Sequence, residues 1–199
     1  PADRIVEVEA GVITQQLQQF AESKDLYYPV DFASAGSSQI GGNIGTNAGG
    51  IKVIRYGMTR QWIMGLTVVT GKGDILQLNR GMVKNATGYD LRQLFIGSEG
   101  TLGLVTHAQI KLERQPQDLN VMVLGMDSFN DVMNVLSAFQ AKIDLTAFEF
   151  FDDVAIDKLM AHGQVQEPFE SRTKFYTLLE FEAPYEPIMD KAMAIFEHC

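Results

Sequence analysis

Two glycine-rich segments constrain this chain more than any other feature of its sequence. The first reads SSQIGGNIGTNAGG from Ser37 to Gly50, and the second reads GSEGTLG from Gly97 to Gly103. Glycine lacks a Cβ, so it allows positive φ and the close approach of a ligand. In the first segment we expect this of Gly41, Gly42, Gly45, Gly49 and Gly50. Successive N–H groups in such turns can hold an anion, although a structural turn region remains the alternative for either segment alone.

Neither segment matches the two commonest nucleotide-binding patterns. The chain contains no G-x-x-x-x-G-K-[ST] string, which argues against a P-loop. The glycine spacing differs from G-x-G-x-x-G and no clear parallel strand leads into it, which argues against a Rossmann site. One long ligand bound by both segments together is the stronger functional interpretation.

Charge and cysteine content disfavour several other functions. The formal net charge is −9 without a cluster of Lys and Arg, so nucleic acid and anionic membranes are poor partners. The one cysteine, Cys199, excludes a disulfide framework and a multi-cysteine metal site within the chain. No apolar run approaches the ~20 residues that span a bilayer. We therefore expect a cytoplasmic protein with no transmembrane segment and no metal site of its own.

The hydrophobic periodicity predicts an α+β fold in two parts, divided at the polar stretch around Pro116. The first part should contain a helix over residues 12–23, a hairpin from Met64–Thr70 and Asp74–Leu78, a short helix over Tyr89–Phe95 and a strand over 104–112. In that strand Leu104, Ala108 and Ile110 should share one face. The long stretch between Asp25 and Gly57 has no regular pattern, and loops of that length are usually functional.

Beyond Pro116, strands alternate with helices, which predicts helices laid on one face of a sheet. The expected elements are Val121–Met126, a helix near 128–142, Thr146–Phe151, a helix near 152–162, Lys174–Glu182 and a last helix from Ile188. Ser128 and Asp152 are the predicted N-caps. Because Pro1 opens the chain and the last helix has no stop signal, we expect structure missing at both ends.

The strings PVDFAS, IGGNIGTNAGGIKVIRYG and TGYDLRQLFIGSEGTLGLVT resemble the FAD-binding domain of the vanillyl-alcohol oxidase superfamily. The likeness is greatest to its FAD-linked D-2-hydroxy-acid dehydrogenases, which include the glycolate oxidase D subunit, D-lactate dehydrogenases and D-2-hydroxyglutarate dehydrogenase. It implies that residues 1–116 are the second part of a PCMH-type FAD-binding domain. Residues 117–199 would then be the first part of a ferredoxin-like α+β cap domain.

The resemblance implies FAD contacts from three places along the chain. The turn that faces the cofactor would contain Pro29, Val30, Asp31 and Gly36. The residues near the pyrophosphate and flavin would be Ile40, Gly41, Gly42, Asn43, Thr46, Asn47, Gly49 and Gly50, with Tyr56 and Gly57 nearby. The residues over the adenosine would be Glu99, Gly100, Leu102, Gly103 and Val105. Most of these contacts are expected through backbone groups.

The family's first FAD subdomain and its catalytic and metal-binding residues have no counterpart in the sequence. We therefore expect this chain by itself to hold FAD weakly or not at all and to be inactive. His107, His162 and His198 have no partner evident in the sequence, so surface positions are expected for them rather than base catalysis. Glu149 is likewise expected on a sheet surface.

The leading functional hypothesis is FAD-dependent oxidation of a small D-2-hydroxy acid, such as glycolate, D-lactate or D-2-hydroxyglutarate, to the 2-oxo acid. One alternative is a flavoenzyme similar to alkylglycerone-phosphate synthase. Another is a non-catalytic FAD-binding subunit of a multi-subunit oxidase. A homodimer and a partner subunit are both compatible with the sequence.

Overall fold

The computed structural model describes residues 3–163 and 166–197, so His198 and Cys199 lie outside the described residues. The chain divides into two compact units, residues 1–115 and residues 116–199. Each of the described sheets takes its strands from one unit only. Helices and antiparallel strands occur in both units, so the α+β fold predicted from the sequence is confirmed.

The first unit contains a four-stranded antiparallel sheet in the order β1-β5-β3-β4, and a separate β2-β6 pair. Its strands are β1 (Ile5–Glu9), β2 (Leu26–Tyr27), β3 (Ile63–Thr70), β4 (Ile75–Leu78), β5 (Gly103–Lys111) and β6 (Glu113–Arg114). Its helices are α1 (Thr14–Glu22), α2 (Ile40–Thr46), α3 (Val53–Tyr56) and α4 (Arg92–Phe95), with a 3-10 turn over Thr59–Trp62. The predicted first helix and the predicted hairpin are confirmed as α1 and as the β3–β4 pair.

The core of this unit lies between one face of the sheet and helices α1 and α2. Val68 and Ile110 of the sheet, Leu17 of α1 and Ile44 of α2 are all buried in it. Side chains alternate between the two faces of a strand, so the opposite face carries polar residues such as His107. The apolar positions that recur along α1 and the strands therefore build the scaffold that holds α2 in place.

Strand β5 departs from the simple alternation predicted for it. The register of its pairing with β3 shifts at Thr106, which becomes an extra residue. A bulge of this kind reverses which side chains face the core. The prediction that Leu104 shares a face with Ala108 is therefore wrong, because Val105 packs against the core and Leu104 is 67% exposed.

Helix α4 is shorter than the helix predicted over Tyr89–Phe95. Asp90 Oδ1 accepts hydrogen bonds from the Arg92 backbone N–H at 3.3 Å and from Arg92 Nε at 2.8 Å. These bonds fix a turn before the helix, which consequently begins at Arg92. Phe95 is buried, whereas Leu91 and Leu94 are exposed because the helix makes only a single turn.

The second unit is a three-stranded antiparallel sheet with helices packed on it. Its elements are β7 (Leu119–Met126), α5 (Phe129–Gln140), β8 (Leu145–Asp152), α6 (Asp153–Ala161), β9 (Phe175–Glu182) and α7 (Glu186–Phe196), with strand order β7-β9-β8. Both predicted N-caps are confirmed. Ser128 Oγ accepts from the Asp131 N–H at 3.3 Å, and Asp152 Oδ1 accepts from the Ala155 N–H at 2.9 Å.

The two faces of this second sheet are covered differently. Phe139 of α5 and Ile195 of α7 pack with Leu179 on one face. On the other face Tyr176 stacks against Phe151, with ring centroids 5.3 Å apart. Tyr176 and Leu179 lie on opposite faces because they are an odd number of residues apart in one strand.

Replacing Phe139 with alanine should lower the free energy of unfolding by about 3–5 kcal/mol, because the fully buried ring leaves a cavity. Phe129 begins the same helix and is 46% exposed, so Phe129→Ala is a matched control and should cost clearly less. Equilibrium urea denaturation measures both changes. Equal losses for the two variants would contradict the burial described above.

Candidate functional site

Helix α2 and the turn before β5 line one cleft of about 380 Å³. From the first glycine-rich segment come Gly41, Gly42, Gly45 and Thr46. From α4, the second segment and the start of β5 come Phe95, Ser98, Glu99, Gly100, Gly103, Leu104 and Val105. The two segments that are far apart in the sequence therefore form the two sides of the same cleft.

Backbone hydrogen bonds join the two segments directly. The Gly97 N–H donates to Ile44 O at 2.9 Å, and the Glu99 N–H donates to Gly45 O at 2.8 Å. Both carbonyls belong to the last turn of α2, where C=O groups lack N–H donors from within the helix. The second segment therefore completes the end of the helix formed by the first.

The first segment is helical over α2, which corrects the expectation of an irregular, positive-φ turn. None of its described glycines takes positive φ; the left-handed residue is Asn47, with φ of 50°, directly after the helix. Two of the glycines are required by close packing instead. A Cβ on Gly41 would lie 2.7 Å from Ala10 Cβ, and one on Gly50 would lie 1.7 Å from Asp31 O.

Gly42 and Gly45 have a different role, because they leave space along the cleft. A Cβ on Gly42 would meet nothing within 4 Å, and one on Gly45 would meet only Glu99 Cα at 3.9 Å. In the second segment, Glu99 and Gly100 are consecutive left-handed residues, with φ of 51° and 77°. Within the residues that the structure describes, the N–H groups of Gly42 and Gly100 have no protein acceptor. The cleft therefore offers open volume and backbone donors, which suits a phosphate-containing ligand.

Several residues predicted to touch the cofactor lie elsewhere in the unit. Pro29, Val30, Asp31 and Gly36 are not part of the cleft lining. Pro29 and Val30 are buried, and Gln18 Nε2 of α1 donates to Val30 O at 3.1 Å and to Asp31 Oδ1 at 3.4 Å. Gly36 is exposed and faces Gln15, also in α1. The structure thus places this turn against α1.

Ile40 and Asn43 project from α2 into the interior rather than into the cleft. Ile40 is fully buried, and Asn43 Nδ2 donates to Thr14 Oγ1 at 2.6 Å. Thr14 in turn bonds Ser38, at 2.8 Å between the two hydroxyl oxygens. These contacts fasten α2 to α1, so both side chains hold the helix in position.

The other predicted residues that do not line the cleft are Asn47, Gly49, Gly50, Tyr56, Gly57 and Leu102. Asn47 Oδ1 accepts from the Arg60 backbone N–H at 3.0 Å. The Tyr56 ring packs between Tyr27 and Trp62, at centroid distances of 5.8 and 6.3 Å. Conversely, the cleft contains Phe95, Ser98 and Leu104, which were not predicted to contact the cofactor. Ser98 lies within the second segment and Phe95 just before it, whereas Leu104 reaches the cleft because of the β5 bulge.

Titratable side chains are scarce at the cleft. Glu99 is exposed at the cleft, while His107 and Glu149 are exposed on sheet faces as predicted. Burial raises the pKa of the Tyr28 phenol, and the hydrogen bond from Arg92 lowers the pKa of Asp90. Among the described residues no group of His, Cys, Asp and Glu could hold a metal ion, and no helix is long and apolar enough to cross a membrane. Among the described residues that line the cleft, Glu99 alone has a titratable side chain.

Each of the two units matches a known protein family. Residues 1–79 match a profile described as an FAD binding domain. Residues 115–199 match one described as the C-terminal domain of FAD linked oxidases. The open glycines and free backbone donors of the cleft fit an FAD-binding role for the first unit.

Known relatives resemble almost the whole chain. It is 66% identical over 197 residues to a D-2-hydroxyglutarate dehydrogenase of Stutzerimonas stutzeri, covering 99% of this chain and 42% of the relative. It is 38% identical over 178 residues to a mitochondrial D-2-hydroxyglutarate dehydrogenase of Danio rerio, covering 88% and 33%. It is 36% identical over 192 residues to the glycolate oxidase subunit GlcD of Bacillus subtilis, covering 94% and 40%. The chain thus spans about two fifths of the length of its bacterial relatives.

Among solved structures, an alkyldihydroxyacetonephosphate synthase aligns with a TM-score of 0.75 at 19% identity, covering 98% of this chain and 38% of that chain. At that identity the likeness establishes the fold alone. The two domain matches cover both units, and the relatives match nearly all of this sequence. The chain therefore contains regions of both an FAD binding domain and the C-terminal domain of FAD linked oxidases.

Proposed function

We propose that the protein is an FAD-dependent dehydrogenase that oxidises a D-2-hydroxy acid of the D-2-hydroxyglutarate type to the 2-oxo acid. The observation that carries the cofactor assignment is the cleft lined by both glycine-rich segments. The substrate class rests on the dehydrogenase that is 66% identical to this chain. Bound FAD would accept the two electrons of the C–H bond at the α-carbon, while the substrate loses its α-hydrogen and its hydroxyl proton and becomes the 2-oxo acid.

This chain would hold FAD mainly through its own backbone groups. The N–H groups of Gly42 and Gly100 can donate to the pyrophosphate, and hydrogen bonds to charged groups are worth about 1.5–3 kcal/mol each. Gly42 and Gly45 keep the α2 side of the cleft free of side-chain atoms, while Leu104 and Val105 supply apolar surface on the other side. Residues 1–116 would then act as part of an FAD-binding domain and residues 117–199 as part of a cap domain.

The alternatives have less support. The synthase of similar fold is only 19% identical to this chain, against 66% for the dehydrogenase. The glycolate oxidase relative is named for another 2-hydroxy acid, and this name supports the same substrate class for the present protein. Cytoplasmic location, partner subunits and weak FAD binding by this chain alone stay predictions.

In the full-length protein, Gly42→Leu should lower the FAD content after purification at least tenfold while leaving the fold intact. The added side chain would occupy the cleft, yet it meets no protein atom within 4 Å at its Cβ, and leucine favours helix over glycine by about 0.5–1 kcal/mol. Gly71→Leu is the matched control, because Gly71 also faces open space but lies in the β3–β4 turn. The ratio of flavin absorbance to protein concentration after desalting measures the bound FAD in each variant. Undiminished flavin in Gly42→Leu would exclude this placement of the cofactor.

Anaerobic addition of D-2-hydroxyglutarate to the FAD-loaded protein should bleach its visible flavin absorbance, because the substrate reduces the cofactor. The L-enantiomer should leave the absorbance unchanged and so controls for non-specific reduction. D-Lactate and glycolate, tested in the same way, rank the substrates within the class. If the flavin of the full-length protein stays oxidised with D-2-hydroxyglutarate, D-lactate and glycolate, the proposed activity is wrong.

A further inference from the structure

Arg60 bonds to the ends of both glycine-rich segments. Its backbone N–H donates to Asn47 Oδ1 at 3.0 Å, and Asn47 directly follows α2. Its guanidinium Nη2 donates to Ile96 O at 2.9 Å, and Ile96 directly precedes Gly97. One residue outside the cleft lining therefore connects the two segments that form the cleft.

The guanidinium serves more than one acceptor. Nη1 donates to the side-chain Oε1 of Gln93 and also lies 3.4 Å from Gln93 O. Gln93 O and Ile96 O belong to the end of α4, where carbonyl groups have no helical donors. The planar fork of arginine can bond several such acceptors at once, whereas the ammonium group of lysine lacks this geometry.

The backbone that carries Arg60 is itself held firmly. The N–H and the hydroxyl of buried Thr59 both donate to Ala48 O, at 2.9 and 2.8 Å. Trp62 Nε1 donates to Tyr56 O at 3.0 Å. The 3-10 turn Thr59–Trp62, which carries Arg60, is thus fixed on the α2 side of the cleft. The length of the Arg60 side chain therefore determines the distance between this turn and the end of α4.

We propose that Arg60 is a positioning residue that sets the separation between α2 and the Gly97–Gly103 turn and thereby controls affinity for FAD. The inference rests on the proposed function, since FAD is the ligand whose binding it would govern. Without the guanidinium, the bonds from Gly97 and Glu99 to the end of α2 remain. The unit should therefore still fold, with a cleft that is less well ordered for the cofactor.

Titration of the deflavinated protein with FAD, followed by flavin fluorescence, tests this proposal. Arg60→Met keeps the apolar stem but loses the hydrogen bonds of the guanidinium. The Kd for FAD should rise about tenfold, a change in binding free energy about as large as the net contribution of one hydrogen bond. Arg60→Lys should give a smaller rise. Asn79→Ala is the matched control, since Asn79 Nδ2 donates to two backbone carbonyls, Met64 O at 2.6 Å and Met82 O at 2.8 Å, away from the cleft lining. This control should lower the thermal midpoint but leave the Kd unchanged.

The outcomes separate this inference from the proposed function. Full-length wild-type protein that does not bind FAD would overturn the proposed function itself, whereas weak binding by residues 1–199 alone is expected. Wild-type binding with an unchanged Kd in Arg60→Met would overturn only the role of Arg60, as would an equal rise in Kd in Asn79→Ala. If Arg60→Met fails to fold, the Kd of Arg60→Lys decides: a rise above that of the control supports the proposal, and no rise overturns it.

Discussion

The two hydrogen bonds from Gly97 and Glu99 to the last turn of α2 are the contacts on which the candidate site depends. They connect segments that lie far apart in the sequence and leave a cleft between them. Unpaired backbone carbonyls at a buried helix end are costly, so each segment stabilises the conformation of the other. The cleft is therefore a consequence of folding the first unit, and Arg60 would only adjust the separation of its two sides.

The glycines around this contact serve two separate purposes. Gly41 and Gly50 allow protein atoms to approach closely, because a side chain there would overlap Ala10 or the Asp31 carbonyl. Gly42 and Gly45 instead keep space free next to the cleft. A glycine-rich sequence is often interpreted as flexible, but here most of the glycines lie in or beside defined elements. Rigid backbone with open volume is a suitable surface for a large cofactor, because little ordering is required on binding.

The sequence predicts the regular parts of this fold well. Helices α1 and α5 and the β3–β4 hairpin follow from periodicity, and Ser128 and Asp152 cap their helices by local chemistry. Helix α2 could not be predicted in this way, since three of its seven residues are glycine and disfavour a helix. Tertiary bonds to Thr14, Gly97 and Glu99 stabilise it instead. The bulge that exposes Leu104 also depends on the pairing of β5 with β3, which no local pattern reveals.

The candidate site was predictable only in part, for the same reason. Resemblance to a family identified both glycine-rich segments, including Gly42 and Gly100, but it could not distinguish residues that face the cleft from those, such as Asn43, that fasten α2 to its neighbours. Arg60 carried no signal in the sequence, because its partners are distant along the chain and its importance lies in connecting them. Residues that set the geometry of a site are recognised only once the surrounding contacts are known.

The central claim is that both glycine-rich segments bind one FAD molecule in the cleft between them. A crystal structure of the protein with bound FAD tests it most directly. The account predicts cofactor atoms in van der Waals contact with Gly42 and Gly45, and a phosphate oxygen within hydrogen-bonding distance of the Gly100 N–H. Density for FAD that contacts neither α2 nor the Gly97–Gly103 turn would contradict it.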